Sequence, residues 1–60
     1  MEKIFKNDKE FMAQVKVCKR WKKMDFMCYA CEMAALVDMI VKKYNLRKED
    51  AEFIAENFVK

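Results

Sequence analysis

The chain has 60 residues and a formal net charge of +3, and it contains no glycine, proline, histidine, serine or threonine. Without these residues it can build neither a glycine-rich phosphate loop nor the usual pair of nucleophile and histidine base. These absences exclude most enzyme classes, and we expect no catalytic residue, cofactor or bound metal.

The length and composition favour one small helical domain. Sixty residues support a single hydrophobic core, so residues 1–60 are expected to form one domain. Tight β-hairpins need turns such as Asn-Gly or Asp-Gly, which do not occur here. Lys, Glu, Ala and Met, which favour helices, are abundant. The sequence therefore predicts an all-α fold, a compact three-helix bundle with helices at about 8–22, 25–44 and 48–59.

The first predicted helix begins after Asn7, which is a favoured N-cap residue and stands three positions before Glu10. Ile4 or Phe5 is expected to pack back against Phe11 at this end. At helical spacing one face is apolar and is predicted to enter the core. That face comprises Phe11, Met12, Val15, Cys18 and Trp21.

A basic face accompanies this apolar stripe. Around the aromatic Trp21 it carries Lys16, Lys19, Arg20 and Lys23. Basic residues beside an aromatic ring can bind phosphates while the ring stacks on a base. This pattern supports an alternative function as a nucleic-acid-binding accessory protein. The same pattern also fits a solvated helix end that binds nothing. It fits equally a surface that binds an acidic protein or a layer of lipid headgroups.

No breaker residue separates the first helix from the second, yet the pattern requires a turn. If one helix continued, Lys22, Asp25 and Glu32 would lie in its apolar stripe. A turn around Lys22 to Met24, with Asp25 capping the next helix, removes this conflict.

The second predicted helix has an apolar face and a face of small or soft side chains. Its main apolar face holds Phe26, Met33, Val37, Ile40 and Tyr44. Three helices cannot cover both faces, so the back face is a candidate contact for a partner or for a second copy in a homodimer. The back face includes Cys28, Cys31, Ala35 and Met39. Asn45 is expected to end the helix in a left-handed conformation.

Cys28 and Cys31 form a Cys-x-x-Cys pattern. Two thiols near a helix N-terminus can form a redox switch, which is a further alternative function. A structural zinc site usually has four nitrogen or sulfur ligands, so these cysteines could hold a metal only with Cys18 and a carboxylate, or shared between two copies, which is an unusual arrangement. Packing as small apolar residues is the plain interpretation of these cysteines.

The third predicted helix is acidic. Its buried face is expected to comprise Ala51, Ile54, Ala55 and Phe58, while Phe53 falls outside that stripe. The negative charge lies on Glu49, Asp50, Glu52 and Glu56, which disfavours this helix as a DNA-reading helix. The same carboxylates could instead imitate phosphates.

We therefore predict a protein-interaction module, an adaptor or an inhibitor that occupies the surface of a partner protein. A specific case is an inhibitor of a nucleic-acid-binding host protein, of the kind that phages and mobile elements encode. No apolar run indicates a signal peptide or a membrane span, so we expect a cytoplasmic location and no membrane partner. The candidate partner-binding residues are Lys16, Lys19, Arg20, Lys23, Cys28, Cys31, Ala35, Met39, Glu49, Glu52, Phe53 and Glu56.

Overall fold

Four helices and no strand make up residues 2–60, the part of the chain that the computed structural model describes. They are α1 (Glu2–Lys6), α2 (Lys9–Met24), α3 (Phe26–Tyr44) and α4 (Lys48–Val59). The three long helices pack against one another, and α1 packs against α2. The predicted all-α bundle is thus confirmed. None of these helices has both the length and the apolar character that crossing a bilayer requires.

Helix α1 is an addition that the sequence analysis did not predict. A helix of five residues is not stable alone in water, so its stability must come from tertiary packing. Phe5 supplies that packing, since it is buried and lies with its ring centroid 5.0 Å from that of Phe11 and 4.6 Å from that of Tyr44. Phe58 lies at 5.9 Å. The expected contact of Phe5 with Phe11 is confirmed.

The N-cap of α2 is Asp8, so the prediction of Asn7 was wrong by one residue. Oδ1 of Asp8 accepts a hydrogen bond from the Phe11 backbone N–H at 3.1 Å. The backbone N–H of Asn7 instead donates to the Lys3 carbonyl at 3.1 Å and belongs to the end of α1. Because α1 uses Asn7, the capping position passes to the next residue with a suitable side chain.

The chain folds back near the predicted place and Asp25 caps the next helix as predicted, but the turn expected at Lys22 to Met24 is helical and the junction is Asp25 alone. Helix α2 continues through Lys22 to Met24, which are good helix formers, and the extended backbone of Asp25 follows directly. The Asp25 N–H donates to the Trp21 carbonyl at 2.8 Å. Its carboxylate accepts from the N–H of Met27 at 3.0 Å and caps α3.

The core lies between α2, α3 and α4, and Phe5 of α1 packs onto it. Phe26, which was expected in this core, is 74% exposed, so that prediction was wrong. Helix α3 is about 28 Å long and α4 about 18 Å, and therefore α4 does not cover the first turns of α3. The buried residues are Phe5, Phe11, Val15, Cys18, Leu36, Ile40, Ala51, Ala55 and Val59.

The connection from α3 to α4 follows the sequence prediction. Asn45 adopts the left-handed conformation, with φ 53° and ψ 46°, and ends α3. Glu49 and Asp50 lie in the first turn of α4, where the helix dipole favours negative charge. This short connection places α4 alongside the second half of α3.

Candidate docking surfaces

An open groove of about 660 Å³ runs between α3 and α4. Its floor is apolar and comes from α3, while α4 supplies most of its charged wall. The groove is lined by Tyr29, Ala30, Met33, Ala34, Val37, Asp38, Lys48, Glu52 and Glu56. We call this surface the acidic groove.

The floor of the acidic groove is low because two alanines lie one helical turn apart. Ala30 and Ala34 are both exposed, and side chains four positions apart lie on one face of a helix. Met33 and Val37 are half-buried and pack against the core beside them. The distance between packed helix axes depends on the side chains at the contact, so this alanine pair permits close approach by another helix.

The wall of the acidic groove carries three carboxylates and one ammonium group. Glu52 and Glu56 lie one turn apart on α4, and Asp38 lies on α3. Asp38 also pairs with Lys42 at 3.2 Å, but both side chains are largely exposed, so water screens this pair. Lys48 is the single cation of the lining. The groove is therefore apolar at its floor and negative along its rim.

Phe53 extends the acidic stripe of α4 with an exposed aromatic ring. Its side chain is 68% exposed, and helical spacing places it on the same face as Glu49, Glu52 and Glu56. Of the partner-binding residues predicted on α4, Glu52 and Glu56 line the acidic groove, whereas Glu49 and Phe53 lie outside it.

The predicted back face of α3 is only partly open. Cys31 and Ala35 are exposed, whereas Cys28 is half-buried and Met39 packs against the core. Helix α2 approaches this side, where the Gln14 side-chain amide donates to the carbonyl of Glu32 at 3.0 Å and to its carboxylate at 2.8 Å. The structure therefore does not present the four residues as one free surface.

The three thiols are free, and the surroundings of Cys28 and Cys18 disfavour the reactive thiolate. Removal from water raises the pKa of the Cys28 thiol, and the negative charge of Asp25 raises it further. Burial also raises the pKa of the Cys18 thiol. Since the thiolate is the nucleophile and the metal ligand, both groups are less reactive at neutral pH than an ordinary cysteine. Across residues 2–60, no three Cys, Asp or Glu side chains come together in a way that could hold a metal ion.

The basic face of α2 lines a second cleft, of about 590 Å³, together with the end of α4. We call it the basic cleft. Trp21, which the sequence pattern groups with these cations, lies in a different depression against Met27, Cys28 and Cys31. The ring and the cations therefore do not face the same ligand. The basic cleft is lined by Lys16, Lys19, Arg20, Lys22, Lys23, Val59 and Lys60.

The floor of the acidic groove was not predicted from the sequence. Periodicity placed Met33 and Val37 on the main apolar face of the second helix and did not single out Ala30 and Ala34 as an exposed pair. The signal that points to the groove is the spacing of these two alanines, which lie one helical turn apart on the same face of α3.

Comparisons of the chain with protein-family models, with curated proteins and with solved structures found no match. The functional inference therefore rests on the chemistry and shape of these surfaces.

Proposed function

We propose that this chain is a protein-interaction module, an adaptor or an inhibitor, that holds a basic amphipathic helix of a partner protein in the acidic groove. The observation that carries this proposal is the apolar alanine floor beside a rim of carboxylates. Helix-in-groove binding is a common mode of recognition, and it requires an apolar channel that accepts one face of the incoming helix.

The dimensions of the floor fit a helix of the partner. From Ala30 to Val37 the floor extends over eight residues of α3, or about 10 Å along the axis. This length matches two turns of an incoming helix, whose apolar side chains at positions i, i+3 or i+4, and i+7 would contact the floor. The low alanine floor allows the backbone of that helix to approach closely.

The rim specifies the charge of the partner. Glu52, Glu56 and Asp38 present negative charge on both sides of the floor. Exposed ion pairs contribute only about 0–1 kcal/mol each, so the apolar floor supplies most of the affinity. The carboxylates select basic partners and speed their encounter.

The test is affinity capture from a lysate with a matched pair of alanine variants. Ala34→Gln fills the groove floor with a neutral side chain that favours helix, whereas Ala35→Gln places the same side chain on the adjacent exposed position outside the groove. We expect one stoichiometric partner with the wild-type chain and with Ala35→Gln, and its loss with Ala34→Gln. A partner retained by Ala34→Gln contradicts the proposal.

A second pair of variants tests the rim. Glu52→Gln combined with Glu56→Gln removes two carboxylates from the groove, and Glu49→Gln removes one from the same helix outside it. We expect the double variant to weaken capture, and salt to weaken it too, while Glu49→Gln has little effect. If Glu49→Gln weakens capture as much as the double variant does, the partner docks on the acidic stripe around Phe53 and not in the groove.

The inhibitor case makes an additional prediction about the captured protein. If the acidic groove covers a helix with which the partner binds nucleic acid, the carboxylates of the groove take the places that nucleic-acid phosphates occupy beside that helix. An oligonucleotide would then release the partner from the immobilised chain. Retention of the partner in excess oligonucleotide would exclude this case and leave the adaptor case.

A further inference from the structure

The junction between α2 and α3 forms an exposed corner of the molecule. All six residues from Lys22 to Met27 are exposed. Three of them are large and apolar: Met24 is 70% exposed, Phe26 is 74% exposed and Met27 is 79% exposed. Large apolar side chains grouped at an exposed site mark an interaction surface.

The same corner is strongly basic. Lys22 and Lys23 belong both to the corner and to the basic cleft. Lys60 reaches this cleft because α4 runs back along α3 toward the corner. The cleft has six cationic side chains in its lining and no aspartate or glutamate among the described residues. The one carboxylate of the corner, Asp25, accepts backbone hydrogen bonds at the start of α3.

We propose that this corner binds the surface of an anionic lipid bilayer. Met24, Phe26 and Met27 enter the boundary between headgroups and acyl chains, and the lysines and arginine of the basic cleft contact the lipid phosphates. Apolar insertion together with attraction between cations and anionic lipids is the basis of interfacial binding, in which no helix crosses the bilayer.

Two observations favour a bilayer over a nucleic acid. Single-stranded nucleic acids bind to cations with aromatic rings in the same groove, but Trp21 lies in a separate depression from the basic cleft. In addition, the three large apolar side chains of the corner lie at a turn at the end of the bundle. All three can therefore enter the fluid acyl-chain region of a bilayer.

The bilayer site is separate from the acidic groove and goes beyond the proposed function. Ala34 lies eight residues after Phe26, or about 12 Å along α3. Lipid binding at the corner therefore leaves the groove floor accessible to a partner. The Ala34→Gln variant should lose the protein partner but bind vesicles as the wild-type chain does. Failure of one proposal can therefore be distinguished from failure of the other.

The test is co-sedimentation of the full chain with vesicles. We expect binding to phosphatidylcholine vesicles that contain phosphatidylserine, and little binding to pure phosphatidylcholine vesicles. Lys22→Gln with Lys23→Gln should weaken binding by about fivefold for each lysine, from the attraction of one surface cation to an anionic leaflet. Lys6→Gln with Lys9→Gln, on either side of the junction between α1 and α2 and far along α2 from the corner, is the matched control.

The apolar side chains are tested in the same assay. Phe26→Ser with Met27→Ser should abolish binding at moderate salt, whereas Phe53→Ser, which removes an exposed apolar side chain on α4, should not. Trp21, the only tryptophan, lies against Met27 and should shift its emission to shorter wavelength when vesicles bind. Far-ultraviolet circular dichroism confirms that each variant keeps its helices.

Two results overturn the proposal. One is the absence of binding to phosphatidylserine vesicles at low salt. The other result has two parts. The Phe26→Ser, Met27→Ser double variant still binds vesicles, and a labelled oligonucleotide binds the wild-type chain but binds the Lys22→Gln, Lys23→Gln double variant more weakly. The second result would assign the basic cleft to nucleic acid.

Discussion

At the scale of single residues, Asp8 connects two helices. One of its oxygens caps α2, and the other pairs with Lys43 at 2.8 Å and accepts a hydrogen bond from the Tyr44 hydroxyl. These contacts join the start of α2 to the end of α3. The hydrogen bond from Lys43, supported by those from Tyr44 and the Phe11 backbone, holds the pKa of the Asp8 carboxyl well below its usual range.

This lowered pKa predicts a pH dependence of stability. The unfolded chain binds a proton on Asp8 near the ordinary value of about 3.9, whereas the folded chain resists protonation. The stabilisation is therefore complete above that value and is lost as the pH falls toward the folded pKa. The thermal midpoint of Asp8→Asn, which keeps a capping side chain, should be below that of the wild type at neutral pH.

The difference between the two midpoints is the measurement. It should shrink as the pH is lowered from about 5 to about 2, the range in which Asp8 becomes protonated in the unfolded chain but not in the folded chain. Asp38→Asn is the control, since the Asp38–Lys42 pair is exposed and contributes little. A difference between wild type and Asp8→Asn that is independent of pH would show that the ion pair with Lys43 does not stabilise the fold.

The three cysteines provide a second test at this scale, because they differ in exposure. Cys31 is exposed, Cys28 is half-buried with a raised pKa, and Cys18 is buried. An alkylating reagent should therefore modify Cys31 first, Cys28 more slowly and Cys18 only after unfolding. Mass spectrometry of the peptides at timed intervals measures this order. Rapid modification of Cys18 in the native chain would contradict its position in the core.

At the scale of elements, the fold could largely be predicted from periodicity, capping residues and charge. Charges in an apolar stripe indicated the turn at Asp25, and Asn45 indicated the end of α3. The capping shift to Asp8 was less visible, because Asn7 and Asp8 are both good caps and only α1 decides between them. Helix α1 itself depends on tertiary packing of Phe5, which five residues of sequence pattern do not reveal.

The acidic groove and the apolar corner were harder to predict because both depend on how the helices lie relative to one another. Sequence periodicity showed that Phe26, Met33 and Val37 share a face of α3. It did not show that α4 ends before it reaches Phe26, or that α4 packs beside Met33 and Val37 without covering the neighbouring alanines. Phe26 is consequently exposed, and Met33 and Val37 line a groove as well as packing against the core.

The dependence of α1 on one aromatic side chain predicts a strong effect of Phe5→Ala. Truncating a buried phenylalanine costs about 3–5 kcal/mol, which is similar to the net stability that a single core of this size supplies, about 3–5 kcal/mol. We expect the variant to be largely unfolded or to unfold at much lower urea concentration, as measured by circular dichroism. Phe53→Ala, at an exposed position, should change the free energy of unfolding by less than about 0.5 kcal/mol.

Wild-type stability in Phe5→Ala would contradict this account. It would show that the aromatic contacts of Phe5 with Phe11 and Tyr44 do not hold α1 in place. The three long helices would then form the stable unit without it.

At the scale of the whole molecule, opposite charges are separated onto different surfaces. The acidic groove lies between α3 and α4, and the basic cleft lies between α2 and the end of α4. We propose that this separation allows the chain to bind a basic protein segment and an anionic surface at the same time. We expect such a chain to bring a partner protein to a membrane surface.

The central claim is that the acidic groove holds a basic amphipathic helix. The most direct measurement is titration of the isotope-labelled chain, followed by nuclear magnetic resonance, with a synthetic peptide of about four helical turns that has leucines on one face and lysines beside them. We predict chemical-shift changes concentrated at Ala30, Ala34, Val37 and Glu52, at least about tenfold weaker binding in Ala34→Gln, and unchanged binding in Ala35→Gln. Equal affinity in the two variants, or shift changes centred on Cys31 and Ala35, would contradict the account.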